Sequence, residues 1–303
     1  MTDTAETSAG TPAPPARKRT PRHATVSAVR RLSPHLVRVT LTGPELASLD
    51  PTAHTDSYVK LVLGELADGR PLVRAYTVRA VRDGSASTSG STSGDTEWDL
   101  DLVVHGDEGV GGPWATRVRP GEPVTFLGPG GAYAPDPAAP WHLLVGDDSA
   151  LPAIAAAVES LPAGAVAHAV VEVPGPQDEQ PLESAADLTV TWVHRDAGDG
   201  LADAVRAAAG EFPAGAPHVF LHGEAGCVRD LRRWVRTQLG VPRELLSASG
   251  YWRRGSDDEG WRASKRDWAA AIERDDAELT DGAGLTDDAK LTDDAGLTDP
   301  ARS

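Results

Sequence analysis

The segment richest in chemical content is Arg74-Ala75-Tyr76-Thr77-Val78-Arg79. In a strand, alternation puts Arg74, Tyr76 and Val78 on one face and Ala75, Thr77 and Arg79 on the other. An arginine two residues from a tyrosine can neutralise a phosphate while the ring packs on a flat cofactor. A charge-assisted arginine–phosphate bond contributes roughly 1.5–3 kcal/mol. An amphipathic barrel strand with an exposed arginine has the same pattern, so this segment is not diagnostic alone. The stretch from Val104 to Thr116 adds context, with four glycines between Gly106 and Gly112 ahead of a short helical turn. A glycine-rich approach to a helix start leaves N–H groups free for phosphate, although the spacing is not that of a dinucleotide fingerprint. His105 alone reads as a packing or hydrogen-bonding histidine.

Two further segments sit where a nucleotide-binding sheet presents its ligand crevice. Gly146-Asp147-Asp148-Ser149-Ala150-Leu151-Pro152-Ala153 follows the strand-like run Trp141–Val145. Ser149 is placed to cap the next helix, and Pro152 suits its first turn. GDDSA lacks the last glycine of a G-x-S-x-G elbow, so Ser149 is not read as a nucleophile. Gly223-Glu224-Ala225 follows a later strand, where Glu224 is either a pocket residue or an ordinary helix-start acid. Cys227 is the only cysteine, which excludes an intramolecular disulfide and any cysteine-based metal or iron–sulfur centre. It reads as a small buried hydrophobe, and no metal site is expected.

The elements that position these segments fall into two patterns. Short β-branched runs at Ala24–Arg30, Leu36–Thr42, Ser57–Leu63, Leu72–Val81, Trp98–Val104 and Pro123–Leu127 predict a six-stranded antiparallel barrel. From Trp141 the pattern alternates. Strands at Trp141–Val145, Val166–Val171, Leu188–Val193 and His218–Leu221 are interleaved with helices near Ala150–Leu161, Leu201–Ala209 and Cys227–Leu239. Alternating β and α predicts a parallel sheet of nucleotide-binding type. The expected division is an arm at 1–21, a barrel domain at 22–138, an α/β domain at 139–274 and a tail at 275–303.

The chain has 303 residues and a net charge of −16. Residues 275–303 hold nine acidic and two basic side chains, and 279–302 repeat the hexamers LTDGAG, LTDDAK, LTDDAG and LTDPAR. Acids and glycines at a period of six cannot bury a core, so a disordered acidic tail is expected. The Thr-, Ala- and Pro-rich residues 1–21 read as a disordered arm, and 84–95 as a Gly/Ser/Thr hairpin loop. An acidic body argues against nucleic-acid binding. No apolar run of 18 residues and no signal-peptide core is visible, so a soluble cytoplasmic protein without membrane insertion is expected.

Taken together and in order, RAYTVR, HG with GPW, Gly128-Pro129-Gly130-Gly131, GDDSALPA, GEA and Gly250-Tyr251-Trp252-Arg253-Arg254-Gly255 resemble the siderophore-interacting protein family, FAD-dependent ferric-siderophore reductases. The resemblance runs from about residue 22 to 270. It implies a ferredoxin-reductase-like pairing, with a flavin on the barrel and an NADPH or NADH site on the second domain. RAYT is similar to the family's flavin-binding strand, so Arg74 is expected on the FAD phosphate, with Ala75, Tyr76 and Thr77 at the flavin. His105, Gly106, Gly112, Pro113, Trp114, Ala115 and Thr116 are expected to cradle the diphosphate. GDDSALPA resembles the family's GDETALPA, which implies Asp147, Ser149, Ala150 and Leu151 at the nicotinamide site, and Gly223-Glu224-Ala225 resembles the family position that borders that pocket, which implies Glu224 there.

Lys60, in Tyr58-Val59-Lys60-Leu61, and Arg253, in GYWR, match family cations for an anionic ferric siderophore. Gly130 stands where many members carry an arginine. No protein acid or base is required for the iron step. Arg195, Arg229, Arg232 and Arg233 could meet a 2′-phosphate or be solvated helix charges, which leaves the donor open between NADH, NADPH and a ferredoxin partner. A monomer is expected. A flavin reductase serving another acceptor and a non-catalytic siderophore carrier are the competing readings.

Overall fold

The structure, a computed structural model, describes residues 20–82, 96–106 and 109–291, with side chains up to residue 279. The N-terminal arm up to residue 19, the 84–95 loop and the end of the hexamer repeat lie outside the described residues. Six strands, β1 (Arg22–Ser33), β2 (Leu36–Thr42), β3 (Tyr58–Glu65), β4 (Pro71–Arg82), β5 (Glu97–Val103) and β6 (Pro123–Gly130), close into a barrel in the order β1-β2-β5-β4-β3-β6. All its pairings are antiparallel, as the short alternating runs require. Trp98, Leu100 and Leu102 of β5 point inward with Val37, Val39 and Leu41 of β2. The residues between them, Glu97, Asp99 and Asp101, are also buried, because Arg38 and Arg82 cover them from outside. Arg38 grips Asp101 with two bonds of 2.6 and 2.7 Å. A short helix, α1 (Gly111–Arg117), packs Ala115 into the barrel core.

The second unit is a five-stranded parallel sheet of β7 (His142–Asp147), β8 (Val166–Val173), β9 (Asp187–His194), β10 (His218–Glu224) and β11 (Leu246–Trp252), ordered β11-β10-β7-β8-β9. Helix α2 (Leu151–Ser160) covers one face; α3 (Leu201–Ala208) and α4 (Ala225–Gln238) cover the other. Strand β11 had no strand assignment from sequence. Its run, Leu-Ser-Ala-Ser-Gly-Tyr-Trp, is too small and polar to show a period-two signal. The barrel meets this unit through Leu36 and Tyr133, which join the α2 cluster, and through an Arg79–Glu159 ion pair. Buried Asp178 also ties the units together, accepting from Ser33 Oγ at 2.6 Å and His35 N at 3.0 Å. No helix among the described residues is long and apolar enough to cross a membrane.

One expectation needs correction. The tail assigned from residue 275 begins inside a helix, α5, which runs from Asp258 to Leu291. Trp261 and Trp268 on α5 pack at the sheet, and Trp268 Nε1 donates to Ala225 O at 3.0 Å. Asp275 and Asp276 are structural acids. Asp275 accepts two bonds from Arg229 at 2.6 and 2.8 Å. Asp276 receives buried Arg232 as well as Arg236 at 3.0 Å. Composition pointed to repulsive acids, whereas α4 supplies a row of arginines to neutralise them. Removing one partner of a buried pair leaves an unpaired buried charge. Arg232→Ala is therefore expected to lower unfolding stability by about 3 kcal/mol in a denaturant melt, whereas Arg233→Ala, whose Glu278 partner is 3.9 Å away and solvated, is expected to change it little.

Candidate functional site

Strand β4 carries the first half of the site. Its partner is β3, with Val59 opposite Tyr76 and Lys60 opposite Ala75. Tyr76 turns inward onto the barrel core, and its hydroxyl ends at the start of α1. A Cβ on Gly111 would lie 1.7 Å from Tyr76 Oη, so only glycine fits there. Burial pushes the Tyr76 phenol well above its ordinary range. Helix α1 has no side-chain cap, and the first N–H groups of an uncapped helix stay open to an incoming acceptor.

The structure thus brings Tyr76 and Gly111 together at the start of α1, while Gly112 faces the backbone of Val103–His105. The other expected residues divide. Thr77 is buried, while Ala75, His105 and Gly106 are exposed. Pro113 and Ala115 belong to the interior, Trp114 packs on the same core, and the Thr116 hydroxyl donates to Pro113 O at 3.0 Å. These four hold the helix in place.

Arg74 has partners that sequence reasoning missed. Its guanidinium pairs with Asp258 and, at 3.1 Å, with Glu259, both in the first turn of α5. Two carboxylates therefore stand where the sequence reading places a phosphate, and an anion binding there must displace them. No signal in the β4 sequence points to a helix some 185 residues away.

The second half lies at the C-terminal edge of the parallel sheet and converges on Asp147, which is fully buried. Its Oδ1 accepts from Ser149 N at 3.0 Å and from the Ser149 hydroxyl. Its Oδ2 accepts from Glu224 N and from Trp252 Nε1, each at 2.8 Å. Ser149 therefore does not cap α2, contrary to expectation. The cap position is Ala150, without a side-chain bond, and Pro152 does sit in the first turn. Ala150 and Leu151 are core residues. Ala150 sits against Gly146, where a Cβ would approach it to 2.6 Å.

Glu224 caps α4 by accepting from Cys227 N at 2.8 Å, which gives it the helix-start role. Burial and the acids Glu172 and Asp147 push the Cys227 thiol up to about 12. Neighbouring His222 bonds Tyr251 Oη and Ser247 Oγ, each at 2.9 Å. Burial drives its imidazole down to about 3, so it serves as a neutral tie between β10 and β11.

The expected substrate cations lie on the surface of this assembly. Lys60 is half-buried and Arg253 exposed, and neither forms an ion pair among the described residues. Lys265 of α5, whose Nζ donates to Gly250 O at 3.0 Å, is held below its ordinary range by burial and then by the nearby Lys60 charge. Gly130 has a reason to lack a side chain: a Cβ there would meet Cζ and Oη of Tyr58 at 3.1 Å.

Two outcomes follow. Gly111→Ala is expected to displace Tyr76 and abolish retention of FAD, read from the visible spectrum of the purified protein, and Gly111→Ala with Tyr76→Phe is expected to restore part of it. Asp148, next to Asp147, is raised to about 6 by burial and the Asp147 charge. Folded Asp148 thus binds its proton more tightly than the unfolded chain does, so its contribution is intact below about pH 4 and falls as pH rises towards 6. Between those values wild type is expected to lose on the order of 2 kcal/mol relative to Asp148→Asn in paired denaturant melts.

Comparison with known proteins gives the family. Residues 139–255 match the siderophore-interacting protein family, and residues 25–68 and 65–133 match its siderophore-interacting FAD-binding domain. The ferric vibriobactin reductase ViuB of Vibrio cholerae is 32% identical over 259 residues, covering 77% of this chain and 90% of ViuB. An uncharacterized protein of Mycobacterium tuberculosis is 44% identical, covering 81% of this chain and 95% of that protein. The crystal structure of the siderophore-interacting protein SipS from Aeromonas hydrophila superposes with a TM-score of 0.68 at 31% identity, covering 82% of this chain and 98% of SipS. A ferredoxin reductase of carbazole 1,9a-dioxygenase, at 17% identity and a TM-score of 0.56, shares the fold. The chain belongs to the siderophore-interacting protein family and carries that family's FAD-binding domain.

Proposed function

We propose that the protein is an FAD-dependent ferric-siderophore reductase that takes electrons from NAD(P)H and releases ferrous iron in the cytoplasm. The observation that carries this reading is the placement of the Tyr76–Gly111 cradle and the Asp147 crevice on two units fixed to each other, beside uncommitted cations at Lys60 and Arg253. The similarity to ViuB, a ferric vibriobactin reductase, supports the same reaction class.

When bound, FAD supplies the conversion of a two-electron donor into one-electron deliveries. The balance is one NAD(P)H oxidised to NAD(P)⁺ with release of a proton, and two Fe(III) reduced to two Fe(II). The chain's own groups bind and orient. Asp147 fixes the ends of three strands around the donor crevice. Lys60 and Arg253 offer a local positive rim to an anionic chelate, against a chain whose net charge is −16. Fe(II) carries less charge than Fe(III), so an oxygen-ligand chelator holds it less tightly and lets it go. Reduction at iron needs no proton from a side chain.

Anaerobic spectra check the two half-reactions. Flavin bands are expected to bleach with nicotinamide and return when a ferric siderophore is added. A protein that cannot be loaded with FAD would leave a siderophore carrier, and flavin that ignores nicotinamide would point to a ferredoxin donor. Lys60→Ala with Arg253→Ala is expected to cut siderophore reduction at least tenfold while leaving reduction of an uncharged quinone near wild type. An equal loss with both acceptors would remove the rim's role.

A further inference from the structure

The sequence offers four arginines that could read the 2′-phosphate separating NADPH from NADH, and the structure shows what each one holds. Arg229 is bound by Asp275 at 2.6 Å, and buried Arg232 is bound by Asp276. Arg233 faces Glu278 at 3.9 Å. Arg195, beyond the end of β9, bonds Glu172 through Nε at 2.7 Å and reaches Asp148 with Nη2 at 3.4 Å. Glu172 is aligned with Asp147 in the β7–β8 register, so it closes the second strand beside the turn that opens the crevice. In doubly wound sheets an acid at the end of the second strand accepts from the ribose 2′-hydroxyl of NADH, whereas NADPH needs an available arginine there.

We propose that the crevice selects NADH over NADPH, with Glu172 and Asp148 as the specificity-determining residues that keep Arg195 neutralised and repel a 2′-phosphate. The inference rests on the reading above that a nicotinamide dinucleotide docks in this crevice. One arginine between two carboxylates leaves a net negative group before any ligand arrives, and the nearby acid Asp147 adds to it. A doubly charged 2′-phosphate entering that field loses affinity, while an unmodified ribose hydroxyl gains an acceptor.

The experiment uses full-length protein saturated with FAD, so that adenosine probes cannot enter the flavin site. Calorimetric titrations compare adenosine 5′-monophosphate with adenosine 2′,5′-bisphosphate, which differ only by the 2′-phosphate. Wild type is expected to bind the monophosphate at least tenfold more tightly. Glu172→Gln, which keeps the side-chain shape and releases Arg195 from one charge, is expected to move the ratio at least tenfold towards the bisphosphate. Asp148→Asn is expected to move it in the same direction, with the NADH-to-NADPH ratio of KM following in both variants. Equal or tighter binding of the bisphosphate by wild type overturns the inference alone, as does a ratio that neither variant moves. If neither probe binds and neither NADH nor NADPH bleaches the flavin, the dinucleotide reading of the crevice falls and takes the inference with it.

Discussion

The Asp147 carboxylate is the constraint on which the second half of the molecule depends. It sits at the end of the central strand β7, yet its four acceptor contacts reach the turn into α2, the backbone of β10 and the indole of β11. A buried carboxylate costs a great deal unless it is hydrogen-bonded. Here the compensation comes from groups the crevice must hold still. Burial still raises Asp147 above the ordinary carboxylate range. The environment thus keeps some of that cost, and the donors cannot relax away without leaving it uncompensated. Close backbone approach is part of the same device. Gly223, at φ +138°, lies where a Cβ would come within 2.6 Å of Asp147 Oδ2, so the carboxylate and the strand end can meet only because that residue is glycine.

Charge is distributed by the same logic across the site. The chain is strongly acidic, and the described arginines near the crevice and on α4 are largely matched to carboxylates. This leaves few cations to meet an anionic ligand, which gives Lys60, Arg253 and Lys265 their weight. Two ammonium groups close enough for one to depress the other are unfavourable at rest.

Much of this was legible in the sequence, for identifiable reasons. The barrel strands and the alternating second unit announce themselves because their buried faces follow simple periods, as in the alternation of Trp98, Leu100 and Leu102 with acids. GDDSALPA shows its local role in sequence because close backbone approach at Gly146 needs glycine and the end of β7 needs the Asp147 acceptor. What escaped was long-range. Nothing local shows that Ser149 turns back to Asp147 instead of capping α2, that Arg195 is shared between Asp148 and Glu172, or that α5 returns to Arg74. Helix α5 was the largest omission. Its apolar positions Trp261, Trp268 and Ile272 are helically spaced, but the acidic hexamers that follow mask the pattern, and the arginines that stabilise its acids belong to another element.

That helix changes how the two halves must be thought of. Its first turn holds Arg74 of the barrel through Asp258 and Glu259. Its later turns are clamped to α4 of the sheet through Asp275 and Asp276. Arg74 of β4 is therefore tied, through one continuous helix, to the parallel-sheet unit. A phosphate that takes Arg74 must release the start of α5 while the buried Arg232–Asp276 pair keeps the rest anchored. The adjustment then has to be absorbed between those points, in the span that carries Lys265 beside Lys60. Ordinary ion pairs at both ends of one helix thus join the barrel strand β4 to helix α4 of the sheet unit.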